Sequence, residues 1–347
     1  MAIPSIRISS DRATVGAKLG FLAELSGTWE GQGFNLIARP DKQGGSPLFL
    51  ELNQTFEILN LVPISSSIPN RGDVVDDIEL FGLTYLQKIT DRVTGGALHI
   101  EPGIWIHIPS QDTDDGKTQS VARMGNIPHG NSLLAQGTAI KLDPFTGNPF
   151  DPDVRSAVNT APFPVGDPMH FPGTLSGFPP YDLSNLTPAA VNFRTPAGNS
   201  PAIPLPDTIL GVPMQDVILD PTKLLTAALS DQVIESMVII NVSTVASLEQ
   251  EQQPPAPPLP PTTINFNGGG GGVENIPFLQ ANANAATVFA TFWIEKIKGP
   301  TPDTGFLQLQ YVQTVFLNFP VLPSPPGKNL TWPHVSVATL QKVFGGQ

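Results

Sequence analysis

Apolar and polar positions alternate with a period of two along most of this chain, the spacing of β-strands that show different faces to core and solvent. Leu48, Leu50, Leu52, Phe56 and Ile58 share one parity, and Glu51, Asn53, Thr55 and Glu57 share the other. From Ala97 to Pro109 the even positions hold Leu98, Ile100, Ile104, Ile106 and Ile108, while the odd ones hold His99, Glu101, Trp105 and His107. Read this way, strands are predicted over about 28–39, 48–59, 80–90, 97–109, 118–127, 132–142, 236–248, 285–298, 306–319 and 330–343. Most join a sequence neighbour through turn chemistry such as 91–96 or 128–131. Strands this apolar cannot leave edges exposed, so the expected fold is all-β, a ten-stranded antiparallel up-and-down barrel.

Two strands need comment. The first opens with Gly27-Thr28-Trp29-Glu30-Gly31-Gln32-Gly33-Phe34, in which glycines mark bends or close backbone approaches and Trp29 is placed to plug a barrel end. In the fourth, Pro102-Gly103 predicts a bulge or an edge that flips the phase between its halves. The uniformly aliphatic even positions favour an inward isoleucine face with the histidines toward solvent. Trp105 on the odd face argues the other way.

The texture changes after Leu142. Sixteen prolines fall between Pro144 and Pro221, too dense for central strands or long helices. Residues 143–235 are therefore expected to be an insertion packed on one barrel domain of strands at 25–142 and 236–343. One helix is expected there, with Asp220 as N-cap, Pro221 at the first position, and Leu224, Leu225, Ala228 and Leu229 along it. A shorter turn is expected over 18–24. Six prolines and then five glycines up to Gly272 predict a flexible loop over 249–276.

A net charge of −12 disfavours nucleic acid and anionic membrane surfaces as partners. The chain has no cysteine, which excludes disulfides and thiolate metal sites. No apolar run in residues 1–20 has the length of a signal peptide or membrane span, so a soluble cytoplasmic protein is expected. A small hydrophobic molecule is the expected partner, with a second copy of the chain as an allowed homodimer.

The run Gly27 to Gly33 resembles the first strand of the nitrobindins, ten-stranded calycin barrels related to lipocalins and fatty-acid-binding proteins. Tyr85-Leu86-Gln87, His99-Ile100-Glu101-Pro102-Gly103 and Ile127-Pro128-His129-Gly130 are similar to segments that follow in that family in the same order. Pro333-His334 with Ala338-Thr339-Leu340 resembles its last strand, though Val337 stands where the family has its histidine and His334 lies three residues earlier. The resemblance spans about 20–142 and 236–343. It implies haem b held in the barrel, with His334 as the metal ligand and peroxide, nitric oxide or peroxynitrite chemistry at the iron. Trp29, Trp105, His107, His129 and Tyr311 are then the other candidate cofactor contacts.

The residues themselves leave other chemistry open. His334 shares parity with Ser336, Ala338 and Leu340, and is either an axial ligand or a rim histidine held by a hydrogen bond. His99 and His107 are about 26 Å apart on an extended strand and cannot share a metal, whereas His99 and Glu101 are about 6–7 Å apart on one face. That pair, with Arg123 in an otherwise apolar strand, is the candidate catalytic set: acid–base groups and a carboxylate or propionate anchor. An exterior Arg123 is the alternative. Gln54, Gln87, Gln136, Gln308 and Gln310 are candidate cavity amides. Three functions follow: a haem or planar-ligand protein, a cofactor-free isomerase or cyclase acting on a lipophilic metabolite, or a carrier.

Overall fold

The computed structural model describes residues 12–39, 49–70, 77–127, 132–148, 158, 160, 163–164, 193–194, 205–244, 287–301, 304–320 and 329–343. Ten long strands carry the fold: β1 (Gly27–Arg39), β2 (Phe49–Pro63), β3 (Ile78–Asp91), β4 (Ala97–His107), β5 (Thr118–Asn126), β6 (Ser132–Leu142), β7 (Ile234–Ser243), β8 (Thr287–Ile297), β9 (Phe306–Pro320) and β10 (Asn329–Val343). Each pairs antiparallel with the next in sequence. β10 pairs back onto β1, from Thr28 opposite Val343 to Ile37 opposite His334. The sheet is thus a closed ten-stranded antiparallel barrel, and closure leaves none of these apolar strands with a free long edge.

One end is plugged. Helix α1 (Arg12–Lys18) and a 3₁₀ turn over Gly20–Leu25 place Val15, Leu19, Leu22 and Leu25 in one core with Trp29, Leu61, Leu83, Trp105 and Val121. The buried Trp29 indole donates to the Leu25 carbonyl at 2.7 Å, so its one polar atom is satisfied. His107 fastens the same end: Nδ1 lies 2.7 Å from the Lys18 carbonyl and Nε2 lies 2.9 Å from Asp112 Oδ2.

Which face of β4 looks inward is the main correction. On β4 the odd face is the inner one: Glu101, Trp105 and His107 are buried, while Ile100 is 44% exposed. No phase flip occurs at Pro102-Gly103, because pairing with β3 runs unbroken from His107 opposite Phe81 to His99 opposite Ile89. The pair marks an edge instead. Pairing of β4 with β5 covers only Gly103 to His107, so Pro102 needs no amide hydrogen there. On β2 the polar row Glu51, Asn53, Thr55 and Glu57 is likewise buried and shares parity with lumen-lining Leu59 and Leu61.

The apolar residues displaced from the lumen form a second core outside the wall. Phe34, Leu36, Leu50, Leu52, Trp293, Val335 and Val337 pack against two short helices, α2 (Met214–Leu219) and α3 (Lys223–Ala228). The second of these is the helix expected after Asp220-Pro221. It starts later because Asp220 Oδ1 accepts from the amide and hydroxyl of Thr222, and the Asp220 and Pro221 carbonyls take 3₁₀-type bonds from Lys223 and Leu224. α2 was not expected from the sequence, since Pro206 and Pro213 mask its short apolar period. The loop expected over 249–276 lies outside the described residues.

The facing of β4 gives a direct test. Trp105→Ala should cost about 3–5 kcal/mol in urea unfolding, and Ile100→Ala should stay within about 0.5 kcal/mol of the parent. The reverse ranking would mean the isoleucine face is the buried one.

Candidate functional site: a polar layer across the barrel lumen

Inward-facing side chains of five strands meet midway along the lumen. β3 supplies Tyr85 and Gln87, β4 supplies His99 and Glu101, β5 supplies Arg123, β2 supplies Thr55 and Glu57, and β9 supplies Tyr311 and Gln313. Register builds the cluster. Glu101 stands opposite Gln87, Tyr85 opposite Gly103, Gly103 opposite Gly125, and Arg123 opposite Trp105. The two glycines make the room, since a Cβ at Gly103 would strike the Tyr85 ring and one at Gly125 the Tyr85 hydroxyl and Glu101 carboxylate.

Arg123 is the hub. Its Nη2 donates to Glu101 Oε1 at 2.8 Å, its Nε to the Tyr85 hydroxyl at 3.2 Å, and its Nη1 to Gln313 Oε1 at 2.7 Å. The guanidinium carbon lies 5.3, 5.6 and 5.2 Å from the ring centres of Tyr85, Trp105 and Phe292. A desolvated cation ringed by three aromatic faces gains from each quadrupole. Glu101 also accepts the Tyr85 hydroxyl and lies 3.2 Å from His99 Nε2 through Oε2.

A second carboxyl completes the layer in a different state. Glu57 is buried, and its oxygens lie 2.8 and 2.7 Å from the Tyr311 hydroxyl and 3.1 Å from Gln87 Nε2. Burial raises the Glu57 pKa above the ordinary carboxylate value, and hydrogen bonds from Tyr311 and Gln87 offset only part of this. Burial pushes Glu101 up too, but Arg123 and the bonds from His99 and Tyr85 outweigh it and hold the group at about 2. Burial is also the main reason both tyrosines sit above their usual value. The layer therefore pairs one carboxyl driven toward the neutral acid with one held as the anion, the division that acid–base chemistry uses.

Of the expected site residues, His99, Glu101, Arg123, Trp105 and Tyr311 come together here. Arg123 is interior, and the carboxylate it holds is Glu101 of its own chain. Trp29 and His107 lie at the plugged end instead, where His107 has both ring nitrogens engaged. His129 lies outside the described residues. His334, near the start of β10, is held by the Ala38 carbonyl, 3.2 Å from Nε2; burial brings its pKa down to about 4, leaving a neutral imidazole. Of the five glutamines, Gln87 faces the lumen. Gln308 and Gln310 are buried on the outer wall, bonded to Gln232, Glu295, Leu225 and Thr339, because that parity faces α3 rather than the cavity.

Glu57, Tyr85 and Gln313 were missed as site residues. The polar row of β2 is visible in the sequence, and its uninterrupted parity was the available signal. One further lumen atom stands out: Asn35 Nδ2 donates to Ser336 Oγ at 2.6 Å, but its buried Oδ1 has no partner among the described residues. A cavity of about 940 Å³ lies elsewhere among the described residues, mainly against outward-facing Leu80, Ile106, Met124, Leu134 and Phe289. It has no ionisable lining residue, so the chemistry marks the lumen although the volume does not.

No protein-family model matches the chain, and no curated protein matches it. Among solved structures, the crystal structure of Rv2717c from M. tuberculosis aligns over 94% of this chain and 97% of its own at 11% identity and a TM-score of 0.34. That likeness is too distant to bear on function.

Two outcomes test the layer. Glu101→Gln strands a buried cation and should cost about 3–5 kcal/mol, whereas the double replacement Glu101→Leu with Arg123→Met should recover most of it. The pH dependences have opposite signs. With Glu101 depressed from 4.5 to about 2, its contribution is complete above 4.5 and lost as pH falls toward 2. Glu57, raised above 4.5, contributes fully below that value and loses its contribution as pH rises through its folded pKa. Unfolding curves from pH 4 to 8 should therefore show Glu57→Gln gaining on the parent as pH rises.

Proposed function

We propose that the barrel binds one small, largely apolar molecule in the lumen, its polar end against the layer of Glu57, Gln87, His99 and Glu101. The observation that carries this reading is the layer itself. Two carboxyls, a guanidinium and two phenols sit where aliphatic side chains would cost less, and buried ion pairs add little to stability. Ionisable groups with displaced pKa values in a concave interior are the usual mark of a working site. The unpartnered Asn35 Oδ1 adds an acceptor ready for a ligand donor. Access is supported by His99, whose side chain is 21% exposed beside the β4 segment that lacks β5 pairing.

Haem b is the second reading, favoured by His334. A neutral imidazole steered by a backbone carbonyl is the form that ligates iron. His334 would hold the metal, and Trp105 and Tyr311 would wall the macrocycle. Bound haem would supply peroxide, nitric oxide or peroxynitrite chemistry at iron.

Native mass spectrometry and hemin titration separate the two readings. Lumen binding predicts a 1:1 adduct with a lipophilic fluorescent probe, lost in Thr55→Trp, which puts an indole beside Glu57. Haem predicts a Soret band that His334→Ala abolishes. A protein that takes up neither probe nor hemin contradicts both.

A further inference from the structure

A second recess lies outside the barrel, between α3 and the outer faces of β1, β9 and β10, with a volume of about 710 Å³. Its apolar wall is Ile209, Leu210, Leu224, Leu225, Ala228 and Phe306. Its floor is polar and built. Gln308, 3% exposed, exchanges amide bonds with Gln232 at 3.2 and 2.9 Å, and its nitrogen also reaches Glu295 at 2.9 Å. Next to it, Gln310 donates to Thr339 Oγ1 at 2.9 Å.

Among the described residues these bonds leave defined capacity. Gln308 Oε1 keeps a lone pair, Gln232 Nε2 a hydrogen, and Thr339 its own O–H to donate. Gln308 and Gln310, which hold Gln232 and Thr339, stand two residues apart on one strand face, about 7 Å, a span the size of a sugar ring or an amide. The charges at the rim, Glu30 and Arg92, offset each other.

The rim holds an independent anomaly. Thr208–Ile209 pairs with Val212–Pro213 across a two-residue turn, Leu210-Gly211, with φ of 49° and 78°. Two positive φ values in such a turn favour Asn-Gly, and leucine is strained there. Leu210 is nonetheless the turn residue and is 63% exposed at the edge of the recess. Local rules would neither place leucine in that conformation nor leave it bare, whereas an apolar contact made on binding accounts for both.

We propose that this recess is a binding site, separate from the lumen, for a neutral amphiphile. Its hydroxyl- or amide-bearing head meets Gln232, Gln308 and Thr339, and its apolar part lies under Leu210 against α3. Size and lining suit such a ligand, since an apolar wall on one side faces polar side chains on the other.

The test uses the full chain and n-octyl β-D-glucoside below its micelle threshold, followed by the amide NMR signals of Gln232, Gln308 and Thr339. Saturable shifts are expected at these residues. Leu210→Asn, which suits the turn and should unfold at the same or a higher urea concentration, should weaken binding roughly tenfold, the effect of losing one well-buried leucine contact. Thr339→Val should weaken it while leaving the alkyl contacts. Absence of saturable shifts, shifts confined to the surroundings of Glu57 and His99, or unchanged affinity in both variants would each overturn the proposal.

Discussion

A guanidinium enclosed in a β-barrel must find every partner inside it, and the interior of this protein is arranged around that requirement. Arg123 is 3% exposed, and leaving it unpaired would cost more than most single contacts return. Glu101 supplies the countercharge, Tyr85 and Gln313 take two further N–H groups, and three aromatic rings enclose the rest. The two in-strand glycines, Gly103 and Gly125, follow from the same demand, since any side chain there would displace Tyr85 or Glu101. Gln313 lies across the lumen on β9, so satisfying one cation ties opposite walls of the barrel together.

The rest of the architecture is consistent with a lumen given over to polar groups. Apolar residues that would fill an ordinary small barrel lie partly on the outside, where Trp293, Val335 and Val337 need a cover and α2 and α3 provide it. The lumen keeps apolar side chains on either side of the layer, around Trp29, Leu83 and Val121 at the plugged end and around Val288 and Val315 along β8 and β9. The result is a barrel with two cores, one within the wall and one against it. The polar layer lies inside the wall, and the glutamine-floored recess lies outside it.

Strand number, order and closure were legible because alternation and turn residues report them directly. The orientation of the strands was not. Period-two alternation is symmetric between faces, and it names the buried face only when the other face is wet. Here β2 and β4 have a polar face in the lumen, and Ile106 on the outer face of β4 is buried as well, so residue type pointed the wrong way. Trp105 was the one residue on β4 that argued correctly. His99, Glu101 and Arg123 were recognisable as candidate chemistry from their residue types. Glu57 was not, because its role depends on Tyr311, 254 residues away in sequence. His107 shows the opposite case: it looked like a ligand contact, and it holds the plug through Lys18 and Asp112.

The central claim is that the polar layer shifts the titration of two carboxyls in opposite directions. Carbon-13 NMR of the side-chain carboxyls, titrated from pH 2 to 8 with Glu57→Gln and Glu101→Gln for assignment, measures this directly. The account predicts that Glu101 stays ionised until the pH nears 2, while Glu57 takes up its proton above the ordinary value of 4.5. Two carboxyls titrating together near 4.5 would contradict it, because neither the ion pair with Arg123 nor the burial of Glu57 would then exist in solution.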